Sequence, residues 1–226
     1  YTGYGYICAG IEAPLVEARG KVLLLVDNTL TNALAFELNR LQLDLAGDGW
    51  TVLRDDVPRQ SIAASDSNTN NWAARSNELA AMKQLIVTHY QADPANVKAL
   101  FLFGHVPVPY SGNLNPDGHS DHLGAWPTDL YYADLDGLWR DTSVNNSTSG
   151  RLENRNVPGD GKFDNTSPPS AVELQVGRVD LWNLTSFPLS ETELLRQYLD
   201  KTHHFRMRDC NPPRRGLVDD RFGTFN

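Results

Sequence analysis

Lys21-Val-Leu-Leu-Leu-Val-Asp27 is a continuous apolar run closed by an acid. A strand with one wet face alternates apolar and polar residues. An unbroken run of this length belongs to a strand covered on both faces, the pattern of a parallel sheet. After it, Thr31 or Asn32 can cap a helix in which Ala33, Leu34, Leu38, Leu41 and Leu45 recur at helical spacing. The glycines at 47 and 49 stop that helix. Trp50-Thr-Val-Leu-Arg54 reads as a second, short strand and Asp66 to Asn71 as a polar loop. A helix follows from about Trp72 to Tyr90, with Leu79, Met82, Ile86 and Tyr90 in line, and Asp93-Pro94 ends it. Val97-Lys-Ala-Leu-Phe-Leu-Phe103 is the third strand, broken by Gly104-His105. The order β-α-β-α-β with right-handed crossovers predicts an α/β fold built on a parallel, doubly wound sheet.

The segment 104–170 breaks this rhythm. It holds 8 of the 17 glycines and 7 of the 13 prolines. Asp129-Leu-Tyr-Tyr-Ala133 and Leu138-Trp139 are its only strand-like pieces. A loop-rich insertion of this length in a compact domain is functional, metal-tied or disordered. Order returns with a short strand, Glu173-Leu-Gln-Val-Gly177. The capping box Ser190-Glu-Thr-Glu193 then opens a helix to about Arg208, with Leu194, Leu195, Tyr198 and Leu199 facing inward. Arg215-Gly-Leu-Val-Asp-Asp220 begins another strand. Apolar content orders the sheet: the runs at 21–27, 97–103 and 173–177 belong inside it, and 50–54, which alternates with polar residues, belongs towards an edge. The chain thus divides into an N-terminal segment 1–20, an α/β unit 21–208 carrying the insertion 104–170, and the start of a second unit at 209–226.

Composition narrows the function. The 226 residues are 40% apolar and 21% charged, which supports a folded core. With 20 Lys plus Arg against 28 Asp plus Glu, the net charge of −8 argues against a nucleic-acid partner. No apolar run exceeds the five residues of Val22–Val26, far too few for a membrane span. Of the acids, 20 are Asp and 8 are Glu, and Asn adds 18 more; these residues build turns and also ligate calcium. Two cysteines, Cys8 and Cys210, are too few for a disulfide scaffold. No Gly-rich phosphate loop follows the first strand, where Asp27-Asn-Thr-Leu30 stands instead, so a nucleotide site is not expected there.

Several residues are candidates for chemistry. Asp27 and His105 lie at the carboxyl ends of predicted parallel strands, where α/β sheets place ligands. Each also has a plain structural role, Asp27 as a helix cap and His105 as a loop tether. Asp117-Gly-His-Ser-Asp-His122 gathers His119, His122, Asp117 and Asp121 as possible transition-metal ligands, though the spacing matches no zinc motif. Asp134-x-Asp136-Gly137 and Asp160-Gly-Lys-Phe-Asp164 look like fragments of calcium loops, in which alternating acids converge on one centre. Pro158 rules out an EF-hand, because it supplies no side-chain oxygen where that loop needs a ligand. A structural calcium ion held by Asp134 and Asp136, or by Asp160 and Asp164, is expected to tie the insertion. Arg178 is expected to pair with an acid of the Asp129–Asp136 patch.

Four pieces in order carry a family resemblance. They are Ala99-Leu-Phe-Leu-Phe-Gly-His105, Pro127-Thr-Asp-Leu-Tyr-Tyr-Ala-Asp-Leu-Asp-Gly137, Leu174-Gln-Val-Gly-Arg-Val179, and the helix from Glu193 to His204 with Lys201 near its end. Together they resemble the N-terminal part of gingipain-like cysteine peptidases over roughly Lys21 to Arg208. Two features depart from that pattern: the insertion from Asp141 to Pro169 is longer, and His105 stands where the family often has an acid. The resemblance implies a caspase-like (flavodoxin-like) sheet in two adjoining subdomains. It also implies a catalytic His in a Gly-His-Gly turn and a catalytic Cys after the next strand. This sequence has no Gly-His-Gly, and neither cysteine sits in such a place. The resemblance therefore implies the non-catalytic N-terminal part of a secreted or surface cysteine endopeptidase. Its partners would be the rest of the same protein and, through it, a peptide substrate. The alternative is a non-enzymatic surface or assembly module on the same fold.

Overall fold

The structure is a computed structural model that describes residues 18–61, 69–116 and 118–209. The expected strand at 215–220, Cys8, Cys210, Asp117 and residues 66–68 of the expected polar loop lie outside the described residues.

The chain runs β1 (Gly20–Asp27), α1 (Ala35–Gly47), β2 (Trp50–Val57), α2 (Thr69–Ala92) and β3 (Val97–Phe103). Within the insertion come β4 (Tyr110–Ser111), β5 (Trp126–Pro127), α3 (Leu130–Ala133) and a single 3-10 turn at Leu152–Asn154. β6 (Gln175–Val179) and α4 (Glu191–Arg206) follow. The main sheet has the order β2-β1-β3-β6, and every pair in it is parallel.

Alternation along β1 explains the two layers. Leu23 and Leu25 face a core shared with Leu79, Met82 and Ile86 of α2, Tyr131 and Tyr132 of α3, and Leu100 and Leu102 of β3. Val22, Leu24 and Val26 face the opposite core, with Leu38, Leu41 and Leu45 of α1 and Leu195 and Leu199 of α4. Both faces of β1 are dry, which is why its sequence is apolar throughout. Burying a Leu or Val side chain contributes about 1.5–3 kcal/mol, so β1 is a large contributor to the stability of the sheet.

Several expectations need correction. The strand expected at 173–177 lies at 175–179 and ends the sheet of the described residues rather than lying inside it. Its exposed Gln175 and Gly177 suit an edge. The strand expected at 129–133 is the helical turn α3. Tyr131, Tyr132 and Ala133 are all buried, and consecutive side chains on a strand would face opposite sides. Leu138-Trp139 is irregular. Thr31 and Asn32 do not cap α1: its cap position is Leu34, without a side-chain bond, because the chain coils in through the Leu34 N–H to Leu30 carbonyl bond of 3.0 Å. α2 begins at Thr69, so residues 69–71 belong to a helix rather than a loop. β2 continues past Arg54 to Val57 at the sheet edge. The capping box at α4 forms as read, with Ser190 and Glu193 bonded to each other's backbone amides. No helix among the described residues is long and apolar enough to cross a membrane.

Candidate functional site

Strand order reverses direction about β1: its neighbour on one side is β2 and on the other β3. Ligand crevices of open α/β sheets lie at such a switch, beyond the carboxyl ends of the strands. Here that place is occupied by Asp27 after β1, Arg59 after β2, His105 after β3 and Asp180 after β6.

Asp27 is fully buried. One of its oxygens accepts from the Thr29 amide (3.0 Å) and hydroxyl (2.7 Å). The other accepts from Arg59 Nη1 (2.7 Å) and the His105 amide (3.2 Å). Four donors match the roughly four lone-pair sites of a carboxylate, so Asp27 is a staple joining β1, β2 and β3. Arg59 also reaches Glu191 at the start of α4 (2.7 Å). Burial lowers the affinity of the Arg59 guanidinium for its proton, but the two carboxylates outweigh this and hold it above its ordinary value.

His105 is buried against Trp182, whose ring stacks on it at 4.2 Å. Its Nδ1 donates to Asp180 (2.8 Å), and Asp180 also accepts from the Trp182 amide (3.0 Å). Burial pushes the Asp180 carboxyl up, but the His105 and Trp182 donors prevail and hold it below the usual carboxylate range. A carboxylate on Nδ1 fixes the tautomer and leaves Nε2 for proton transfer, the arrangement that orients a catalytic imidazole. Neither cysteine of the sequence lies among the described residues.

Arg178, beside Asp180 at 3.9 Å, grips Asp129 at 2.9 Å, as the sequence led us to expect. Its guanidinium also donates to the carbonyls of Val106 (2.6 Å) and Pro107 (3.2 Å). It therefore clamps both ends of the loop 106–129 to β6.

The remaining candidates scatter. Asp134, Asp136 and Glu173 bring carboxylate oxygens within 4.8 Å of one another, a group able to hold a metal ion. Asp134 also accepts from the Gly137 amide (2.8 Å) and the Ser170 hydroxyl (2.6 Å). Asp160 and Asp164 join no such group of three among the described residues. Asp164 is filled by the amides of Thr142, Ser143 and Val144 at 2.9–3.0 Å. Burial raises its pKa, but these amides hold it below the usual range. Asp160 accepts from the amides of Val157 and Lys162, and burial pushes it up. His119 and His122 lie with ring centroids 5.0 Å apart, and His122 stacks on Trp126 at 4.5 Å. With Asp121 they form no three-ligand group among the described residues.

Sequence reading found Asp27 and His105 but missed Asp180, Arg59 and Glu191. Asp180 was within reach of the same strand-end rule. Arg59 and Glu191 carry no local signal, because their roles arise from the pairing of β2 with β1 and the docking of α4.

The model of peptidase family C25 matches residues 54–209 of this chain. The curated proteins give no match. The solved structures give none either.

Proposed function

The chain belongs to peptidase family C25, and we propose that it is the non-catalytic N-terminal part of a secreted or surface cysteine endopeptidase of the gingipain type. The observation that carries the reading is the saturation of the strand-end cluster. Asp27 and Arg59 of that cluster, and the neighbouring Asp129–Arg178 pair, are bound to partners on other elements in the manner of a brace, while His105 is oriented by Asp180 with no cysteine beside it among the described residues. The absence of a Gly-His-Gly turn from the sequence agrees with this. In this reading thiolate attack on a peptide carbonyl, with an imidazole moving the proton, is supplied by the rest of the protein, which is also this chain's main partner. Incubation of the purified chain with a mixed peptide library tests the proposal. No hydrolysis is expected. Cleavage blocked by a thiol-directed inhibitor and lost on replacing Cys8 or Cys210 overturns it.

We propose in addition that a structural calcium ion sits at Asp134, Asp136 and Glu173. Support comes from three carboxylates on two separate segments meeting within 4.8 Å, where like charges repel unless a cation or proton intervenes.

A further inference from the structure

A groove of about 530 Å³ crosses the amino-terminal edge of the main sheet. All four strands reach it. Arg19 precedes β1, Trp50 opens β2, Lys98 is the second residue of β3, and Gln175 opens β6. Val172 and Leu174, on the approach to β6, complete its apolar wall with Trp50. Val172 is 47% exposed, and Trp50 is only partly buried against the core under α1 and α4. The rim is cationic. The neighbouring Lys21 is answered by Asp93 at 2.7 Å, but Arg19 and Lys98 form no ion pair among the described residues. The one acid on the wall, Glu173, accepts from the Leu135 amide at 2.6 Å. Apolar walls under two unanswered cations suit an apolar segment that carries carboxylates.

The sequence supplies such a segment beside the groove. The described chain begins at Ala18, one residue before Arg19 on the wall. Of residues 1–17, ten are apolar, against 40% of the whole chain, and the only charged side chains are Glu12 and Glu17. Both signs therefore match: acids on the segment, cations on the rim. Pro14 holds Ala13 in the extended region and so lowers the entropy lost on docking. The reach is short. From β1 to β6 is two strand spacings, about 10 Å, which an extended chain covers in about three residues. Tethering on so short a leash gives an effective concentration on the order of millimolar, which a separate partner must exceed to compete.

We propose that this groove is the seat of the chain's own segment 11–17, with Leu15 and Val16 against the Trp50, Val172 and Leu174 wall and Glu12 and Glu17 answering Lys98 and Arg19. The segment then straps the amino-terminal ends of the strands together. The strap lies at the end of the sheet opposite His105 and Asp180 and stands whether or not the peptidase reading holds.

Cleavage at the Glu12–Ala13 bond by a glutamate-specific endoproteinase tests it, because a docked segment must leave the groove before a protease can take it. The readout is the initial rate of the product that begins at Ala13. The full chain is expected to be cut roughly 10-fold more slowly than a synthetic peptide of residues 9–18, at a rate per chain that dilution does not change. Lys98→Glu is expected to speed the cut about 2- to 5-fold. Val172→Asp puts a carboxylate on the apolar wall and is expected to remove most of the protection. Both replace exposed side chains, and should one variant fail to fold the other is read. Arg140→Glu makes the same charge change in the insertion and is expected to leave the rate unaltered. A rate equal to that of the free peptide, protection that fades on dilution and so marks a second copy, or groove variants cut no faster than the parent would each overturn the proposal.

Discussion

Arg178 donates to both oxygens of Asp129, Nε to Oδ2 and Nη2 to Oδ1, each at 2.9 Å. Such a fork-to-fork pair is stronger and more directional than a single charged contact. Burial lowers the affinity of the Arg178 guanidinium for its proton, yet Asp129 more than compensates and holds it above the ordinary value. The pair joins β6 to the first residue before α3, while the same guanidinium holds the Val106 and Pro107 carbonyls.

Arg178→Met is therefore expected to destabilise the fold by about 3–5 kcal/mol, because it leaves a largely buried carboxylate and two carbonyls without their donor. Adding Asp129→Asn to that variant should recover part of the loss. Urea unfolding of the single and double variants measures both. A single-variant loss below about 1 kcal/mol would show that the clamp is not structural.

Gly104 ends β3 with φ of +83°, and a Cβ there would lie 2.6 Å from both Asp27 Cβ and Leu30 Cδ1. The left-handed backbone alone costs a side chain about 1–2 kcal/mol, and the collision with a close-packed staple adds to it. Gly104→Ala is expected to cost roughly 2–4 kcal/mol. Gly47, at the end of α1, has nothing within 4 Å of its Cβ position. Gly47→Ala should be neutral or stabilise by up to about 1 kcal/mol. Chemical denaturation of the pair is decisive, since equal effects would refute the steric argument.

Asp180 has a carboxyl held below its ordinary range by the His105 and Trp182 donors, against the opposing push of burial. The unfolded chain then binds more protons than the folded one as pH falls through about 4 and below. Stability from this group is present above the unfolded value and is lost as pH falls through the folded one. Asp180→Asn should flatten the acid limb of a stability–pH curve below about pH 4. An acid limb unchanged from that of the parent chain would sink the assignment.

Lys83 gives a slope of the same sign in an alkaline window, for a different cause. Burial lowers its pKa to about 8 despite the nearby Asp134, and its ammonium donates to the Tyr131 and Asp134 carbonyls. Between about pH 8 and the unfolded value near 10.4 the unfolded chain holds the extra proton, so stability rises with pH across that window. Lys162, also lowered to about 8 by burial, adds a similar slope. Lys83→Met should remove roughly half of the rise between pH 8 and 10, read from denaturation midpoints. A full rise in that variant would contradict it.

What was legible in the sequence and what was not divide along physical lines. Lys21–Asp27 and Val97–Phe103 announce themselves because strands dry on both faces have no polar residue to blur them. Asp27 and His105 followed from strand ends alone. Asp180 was missed because β6 is an edge strand, whose alternating Gln175-Val-Gly-Arg-Val179 gives a weak boundary. The aromatic pair Tyr131-Tyr132 reads as strand by propensity, yet both rings are buried with Tyr131 stacked on Phe163 at 4.5 Å, and tertiary packing decided the turn. The acids of the insertion carry the same letters whether they ligate an ion or cap backbone amides. Asp164 proved to be a cap because the amides of 142–144 fold over it, a long-range fact invisible in spacing.

The calcium proposal makes the last prediction. Asp134, Asp136 and Glu173 come from the α3 turn and from the approach to β6, so an ion there would cross-link the insertion to the sheet. Its effect should follow mass action. At a hundredfold excess over the dissociation constant it contributes about 2.7 kcal/mol, which for a chain of this size means a rise of roughly 5–10 °C in the melting midpoint. Asp134 is a poor choice for the test, because its carboxylate also holds the Gly137 amide and Ser170. Asp136 is exposed, and it accepts from the Ser170 hydroxyl at 2.9 Å. Asp136→Asn should therefore leave the midpoint in chelator nearly unchanged while abolishing the rise with calcium. Magnesium should do less, since it keeps its waters and demands tighter octahedral geometry. Identical melts of the parent chain in calcium and in chelator would reject the ion and leave the three acids as turn formers held by Ser170 and the backbone.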